Sequence, residues 1–147
     1  MTGKAAKQDL VRWEHYYHMA DIGVRGYGRT VAEAFEQAAM ALTAVITGPE
    51  LVASEKAVAV RCEAPELDLL LVDWLNALIY EMATRHMLFG RYEVAIEGNR
   101  LTGKAWGERV DLKKHDPAVE IKGATYTTLK LEQIEGGIWL AQCVVDV

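Results

Sequence analysis

The stretch from His15 to Gly28, HYYHMADIGVRGYG, sets two histidines and an aspartate among and ahead of a run of glycines. His18 and Asp21 both carry side chains that can ligate a cation or move a proton. At the other end of the sequence Asp146 precedes Val147, whose free carboxylate would lie at a strand end. If the opening segment runs alongside the last strand, Asp21, Asp146 and the Val147 carboxylate come together, with the His18 imidazole beside them. Carboxylates that close repel one another, and a bound cation removes that cost. Oxygen-rich ligation of this kind suits Ca²⁺, Mg²⁺ or Mn²⁺ rather than zinc. Nothing local says that the two segments meet. The alternative is a solvated chain end and an aspartate that caps a turn.

Other chemistries find less support. Gly23, Gly26 and Gly28 do not fit GxGxxG, and no GK[ST] follows, so a phosphate loop is not indicated. Cys62 and Cys143 lie far apart, without a CxxC pair or Cys/His zinc spacing. Each sits in an alternating pattern that predicts a buried, reduced thiol. The net charge of −5 argues against a broad basic face for nucleic-acid backbone. It leaves open a role on a protein that itself handles nucleic acid. His15, His86 and His115 stand alone and read as surface or satisfied histidines.

At 147 residues and 51% hydrophobic composition, the chain suits one soluble domain with one main core. Residues 1–10, MTGKAAKQDL, read as a flexible polar lead without the apolar core of a secretion signal. The single domain is expected over residues 11–147. The richest apolar run, Leu67 to Leu75, contains Asp68 and Asp73 and is too short and too charged to span a bilayer. A cytoplasmic location follows as an expectation.

The elements that would position the candidate ligands are legible in outline. Trp13, Tyr16 and Tyr17 favour a strand over residues 11–18, and GVRGYG continues extended. Thr30 and Glu33 form a capping box that opens a helix with an apolar stripe from Val31 to Ile46, stopped by Gly48 and Pro49. Val58, Val60 and Cys62 alternate as a strand. Pro65 suits the first turn of a second helix, from about Glu66 to His86, with a wide apolar arc. On its polar side Asp73 and Asn76 share a face. After Gly90 the period becomes two, with a hairpin turn at Gly98-Asn99. WGERVDLKKHDPAVE reads as loop, and a second hairpin turns at Gly136-Gly137. The last strand is apolar on both sides and belongs in the middle of its sheet. Together these predict an α+β fold, two helices packed on a mainly antiparallel mixed sheet.

Several segments resemble the archease family. His18-Met19-Ala20-Asp21-Ile22-Gly23 resembles its His-Thr-Ala-Asp-Ile/Val-Gly signature, with Met19 for Thr. TVAEAFEQAAMAL and LDLLLVDWLNALIYE resemble its two helices. IKGATYTTLKL resembles its Lys-Ala-x-Thr-Tyr-His segment, with Gly123 for Ala and Thr127 for His. WLAQCVVDV resembles its terminal strand with the penultimate Asp. The likeness runs in order over residues 13–147.

The resemblance implies a small cytoplasmic α+β protein with no reaction of its own. Such proteins act as cofactors of the RtcB-type RNA ligase, promoting its guanylylation and multiple turnover in tRNA splicing and RNA repair. Some are described as chaperone-like modulators of a tRNA cytosine-5 methyltransferase. The resemblance also implies a metal site at Asp21, Asp146 and the Val147 carboxylate, Ca²⁺ first, with His18 as a supporting residue. Lys122 matches a lysine needed for ligase activation. The departure at Thr127 means that any role of a histidine there is lost or moved to His115. Direct strong binding of nucleic acid and membrane attachment are not implied.

Two rivals remain from the residues themselves. A metal-dependent hydrolase would use Asp21, Asp146 and His18 and needs a general base and a pocket. A general holdase chaperone needs an exposed apolar patch, whereas the Trp and Leu residues here follow core periods.

Overall fold

The computed structural model describes residues 10–147, so the polar lead expected over residues 1–10 lies outside the described residues except for Leu10. β1 (Arg12–His18) turns through Met19 and Ala20 into β2 (Asp21–Gly28), pairing antiparallel from Arg12 opposite Tyr27 to His18 opposite Asp21. The extended run expected over GVRGYG is thus the returning arm of a hairpin.

α1 (Val31–Ile46) begins as its sequence requires. Thr30 Oγ1 accepts the Glu33 amide at 3.1 Å. The Glu33 carboxylate accepts from Arg29 N at 2.7 Å, so the reciprocal half of the capping box falls one residue before the cap. The buried stripe Ala34, Phe35, Ala38, Ala39, Leu42, Val45 and Ile46 faces the core. Small residues let this helix lie directly on β2. A Cβ at Gly26 would come within 2.2 Å of both Ala34 O and Ala38 N.

β3 (Lys56–Glu63) leads into α2 (Leu67–Arg85). Pro65 precedes this helix rather than opening it, and Glu66 caps it without a side-chain hydrogen bond. α2 buries Leu70, Leu71, Val72, Trp74, Leu75, Leu78 and Met82. The Trp74 indole donates to Phe35 O at 3.1 Å and meets Tyr92 edge-on at 6.1 Å, joining the helices to the second sheet.

β4 (Met87–Glu97) and β5 (Arg100–Arg109) form the expected hairpin at Gly98-Asn99. The segment WGERVDLKKHDPAVE departs from the expected loop. β5 runs on to Arg109, and a one-turn helix α3 (Leu112–His115) follows, its N-terminus closed by Asp111 accepting from Lys113 N and Lys114 N. Short polar runs hide such a turn because one capping aspartate, not periodicity, makes it.

The second hairpin is interrupted. β6 (Gly123–Ala124) and β7 (Lys130–Gln133) both pair with β8 (Trp139–Asp146), and residues 125–129 bulge out between them. β8 lies between β2 and these two strands, as its doubly apolar pattern implied.

The α+β fold holds, with a difference in the sheet. Five strands form one sheet, β1-β2-β8-β6 with β7 also on β8, and β3-β5-β4 form a second, three-stranded one. Among the described residues every pairing is antiparallel, so neither sheet is mixed there. Alternation marks strands but does not say which pair. One buried cluster, from Val24 to Val145 in sequence, joins both sheets and both long helices. Among the described residues no helix is long and apolar enough to cross a membrane. Both cysteines are free. Burial pushes the Cys143 thiol up to about 12, and burial together with nearby Asp73 pushes half-buried Cys62 up to about 11.

Candidate functional site

The strand register gathers residues from both ends of the sequence. His18 is paired with Asp21 across β1 and β2. Ile22 is paired with Val145 across β2 and β8, so the next step of the ladder sets Asp21 against Asp146. Gly123 of β6 is paired with Asp146 from the other side, and Lys122 N donates to Asp146 O at 2.8 Å. Four neighbouring strands thus end in one row: His18, Asp21, Asp146, and Lys122-Gly123. Directly paired residues share a face of a sheet. α1 packs on the face that carries Val24, Gly26, Ala141 and Cys143. His18, Asp21 and Asp146 therefore stand on the opposite, outer face. Val147 follows, partly buried against the core.

A fixed wall backs this row one step up the sheet. Tyr16 is paired with Gly23, and a Cβ at Gly23 would fall 2.2 Å from Cε1 of the Tyr16 ring. The glycine is there so that the ring can lie across β2. The Tyr16 hydroxyl then bonds Thr128 Oγ1 in the bulge. The bulge is tied to β8 by Thr125 N and Thr125 Oγ1 to Val144 O, each 2.9 Å, and by Gln142 Nε2 to Thr128 O at 2.9 Å. The Arg25 guanidinium lies 4.2 Å from the Tyr16 ring centre and donates to Gln142 and Glu14. Burial works to raise the Glu14 carboxyl, but hydrogen bonds from Arg12, Arg25 and Tyr27 prevail and hold it below the usual range.

From beneath, α2 contributes Asn76. Its Nδ2 donates to Ala124 O at 3.1 Å, and its Oδ1 accepts from Ala124 N at 2.8 Å. One side chain thus satisfies both main-chain groups of the residue beside Gly123. The polar-face reading of Asn76 with Asp73 missed this. The available signal was an amide inside the apolar run Trp74-Leu75-Asn76-Ala77-Leu78.

Charge is left open at the row itself. Among the described residues, the side chains of His18, Asp21, Lys122 and Asp146 make no hydrogen bond or ion pair. Nor do three or more His, Cys, Asp or Glu side chains group there into a ready metal cage. Two carboxylates, Asp21 and Asp146, are of the donor type that a hard cation takes. They lie on neighbouring strands, β2 and β8, and make no ion pair among the described residues.

The other histidines are occupied elsewhere. His15 Nε2 donates to Ala41 O at 2.8 Å and ties β1 to α1. His86 closes α2 in the left-handed region, φ 55°. His115 is buried, its Nδ1 accepting from Asp111 N at 2.9 Å. Its Nε2 therefore carries the proton and donates to Glu108 at 2.8 Å. Both nitrogens are engaged, so His115 does not take over a role left by Thr127. Glu108 also accepts from Ala53 N and Lys114 Nζ, and these bonds, the Ala53 amide first, hold its carboxyl down to about 2.

Comparisons agree with this architecture. Residues 13–147 match the Archease protein family. The chain is 41% identical over 140 residues to protein archease of Pyrococcus furiosus, covering 92% of this chain and 99% of that one. It is 37% identical over 140 residues to protein archease of Sulfurisphaera tokodaii, with 94% and 100% covered. The solution structure of Methanobacterium thermoautotrophicum protein 1598 superposes with a TM-score of 0.80 at 30% identity, over 92% of this chain and 98% of that chain. An archease from Thermotoga maritima, described as a possible chaperone, shares the fold at a TM-score of 0.61 and 22% identity, over 91% and 96%. With sequence and fold in agreement over nearly its whole length, the chain belongs to the archease family.

Proposed function

We propose that the protein is a non-catalytic, cytoplasmic cofactor that activates an RtcB-type RNA ligase, promoting its guanylylation and multiple turnover in tRNA splicing and RNA repair. The observation that carries this reading is the row His18–Asp21–Asp146–Lys122, placed on one sheet end and left without internal partners. Exposed Lys122 and Asp146 and half-buried His18 and Asp21 meet water rather than a partner among the described residues, which leaves them available to a cation or to a second protein.

Asp21, Asp146 and the Val147 carboxylate would hold a divalent cation, Ca²⁺ by preference and Mg²⁺ or Mn²⁺ as alternatives, with His18 in support. When bound, the cation supplies neutralisation of the carboxylates and a Lewis-acidic centre at the tip of the sheet. The chain's own residues do the rest. Tyr16, Thr128 and Asn76 fix the strand ends. Lys122, anchored through its amide to Asp146, presents an ammonium to a phosphate or a carboxylate of the ligase. The net charge of −5 favours encounter with the basic rim of an RNA enzyme and makes it salt-sensitive.

The description of the Thermotoga protein as a possible chaperone favours a second reading, in which this family member modulates a partner such as a tRNA methyltransferase without chemistry of its own. The first reading is tested by adding the protein to an RtcB-type ligase with GTP and Mn²⁺ and counting turnovers. Faster guanylylation and repeated turnover are expected, and no gain in either contradicts it. Turnover of a substrate by the isolated protein, lost in Asp21→Ala, would instead make it a metal-dependent hydrolase. Suppressed aggregation of unrelated proteins would make it a holdase.

A further inference from the structure

The turn that carries the signature residues is framed by apolar side chains in water. Tyr17 is 94% exposed and Met19 93%, the two most exposed large apolar residues among those described. They flank His18 on a tip only two residues long, Met19-Ala20. Met19 holds a positive φ of 56°, where glycine or asparagine is the ordinary choice. Tyr17 shares its face with Ile22, opposite His18 and Asp21. Across the row, Tyr126 stands 62% exposed at the crest of the bulge. Scattered apolar residues on a surface need no explanation. Here they bracket one open carboxylate row. Apolar contacts that exclude water around a charged centre are the arrangement of an interface hot spot.

We propose that Tyr17 and Met19 are the apolar anchors that seat the acidic row in a cation-bearing cleft of a protein partner. The occupant is set by charge and shape. Asp21 and Asp146 make no ion pair among the described residues, so a cleft that shares or supplies their cation complements them. A two-residue tip enters a concavity, and side chains on both sides of it line the walls. The inference rests on the ligase reading and adds which residues provide the affinity.

The experiment titrates an RtcB-type ligase with wild type, Tyr17→Ser, Met19→Ser and the double variant, and measures Ca²⁺ binding and thermal unfolding of each alone. Each single substitution should weaken association about tenfold and the pair about a hundredfold. Met19→Leu should bind as wild type. Ca²⁺ affinity, melting temperature and maximal stimulation at saturating protein should stay unchanged. Equal affinity across the series overturns the inference and leaves the ligase reading standing. A wild type that neither binds nor stimulates the ligase overturns both. Loss of Ca²⁺ affinity in the variants would assign Tyr17 and Met19 to holding the row, and likewise overturns the anchor role.

Discussion

Two clusters in this protein combine a histidine, a lysine and carboxylates, and they differ in where their hydrogen bonds end. Around Glu108, every group is answered from within: Ala53 N, Lys114 Nζ and His115 Nε2 all reach the carboxylate, and Asp111 N fills the remaining histidine nitrogen. Around Asp146, only the main chain is answered, by Lys122 N, while the side chains of His18, Asp21, Asp146 and Lys122 find no partner among the described residues. The same residue types do opposite work. The first cluster closes the end of β5 against α3, and the second presents charge outward. Internal hydrogen bonds mark the Glu108 cluster as structural, while the side chains of the Asp146 row are left to water and to what binds there.

Substitutions separate the two clusters most sharply. Asp146→Ala and Lys122→Ala should each abolish stimulation of the ligase with little change in melting temperature. Glu108→Gln should do the reverse, lowering the melting temperature and leaving stimulation intact. A melted fold in Asp146→Ala would make that residue structural and erase the contrast.

Acid should find the Glu108 cluster too. Its carboxyl is held at about 2, below its ordinary value of 4.5. The folded protein therefore gains stability from ionised Glu108 above pH 4.5 and loses it as the pH falls toward 2. Melting curves over that range should lose part of their slope in Glu108→Gln.

The wall behind the acidic row offers a smaller test. Gly23→Ala drives a Cβ into the Tyr16 ring and should cost about 1–3 kcal/mol. Adding Tyr16→Ala should recover part of that loss, since the two residues meet directly. Calorimetry on the singles and the double variant measures the coupling. Smallest in effect, an alkylating reagent at neutral pH should leave Cys143 untouched in the folded protein and modify Cys62 only slowly, because burial holds both thiols protonated.

Much of the fold could be read directly. The Thr30 cap, the stripe of α1, the Gly98-Asn99 turn and the central position of β8 all carry local signals, and each stands as expected. The division into two sheets did not show, because alternation in β3, β4 and β5 is the same whichever strand lies alongside. The one-turn helix at Leu112–His115 did not show because a single aspartate cap creates it. For the candidate site, residue types were legible and proximity was not. Asp21 and Asp146 meet only through the β2–β8 register, a long-range pairing that no local pattern encodes. Conversely, Glu108 and His115 are near in sequence and would attract a site assignment, yet they are spent on each other. Asn76 and Gly23, which hold the row in place, carry their meaning only through what they touch.

The central claim is that strand ends from both termini of the domain jointly hold a divalent cation. Titration calorimetry with Ca²⁺ on wild type and Asp21→Asn tests it most directly. The account predicts saturable binding in the wild type that Asp21→Asn abolishes without unfolding the protein. Undiminished binding in Asp21→Asn, or none in the wild type, would contradict it.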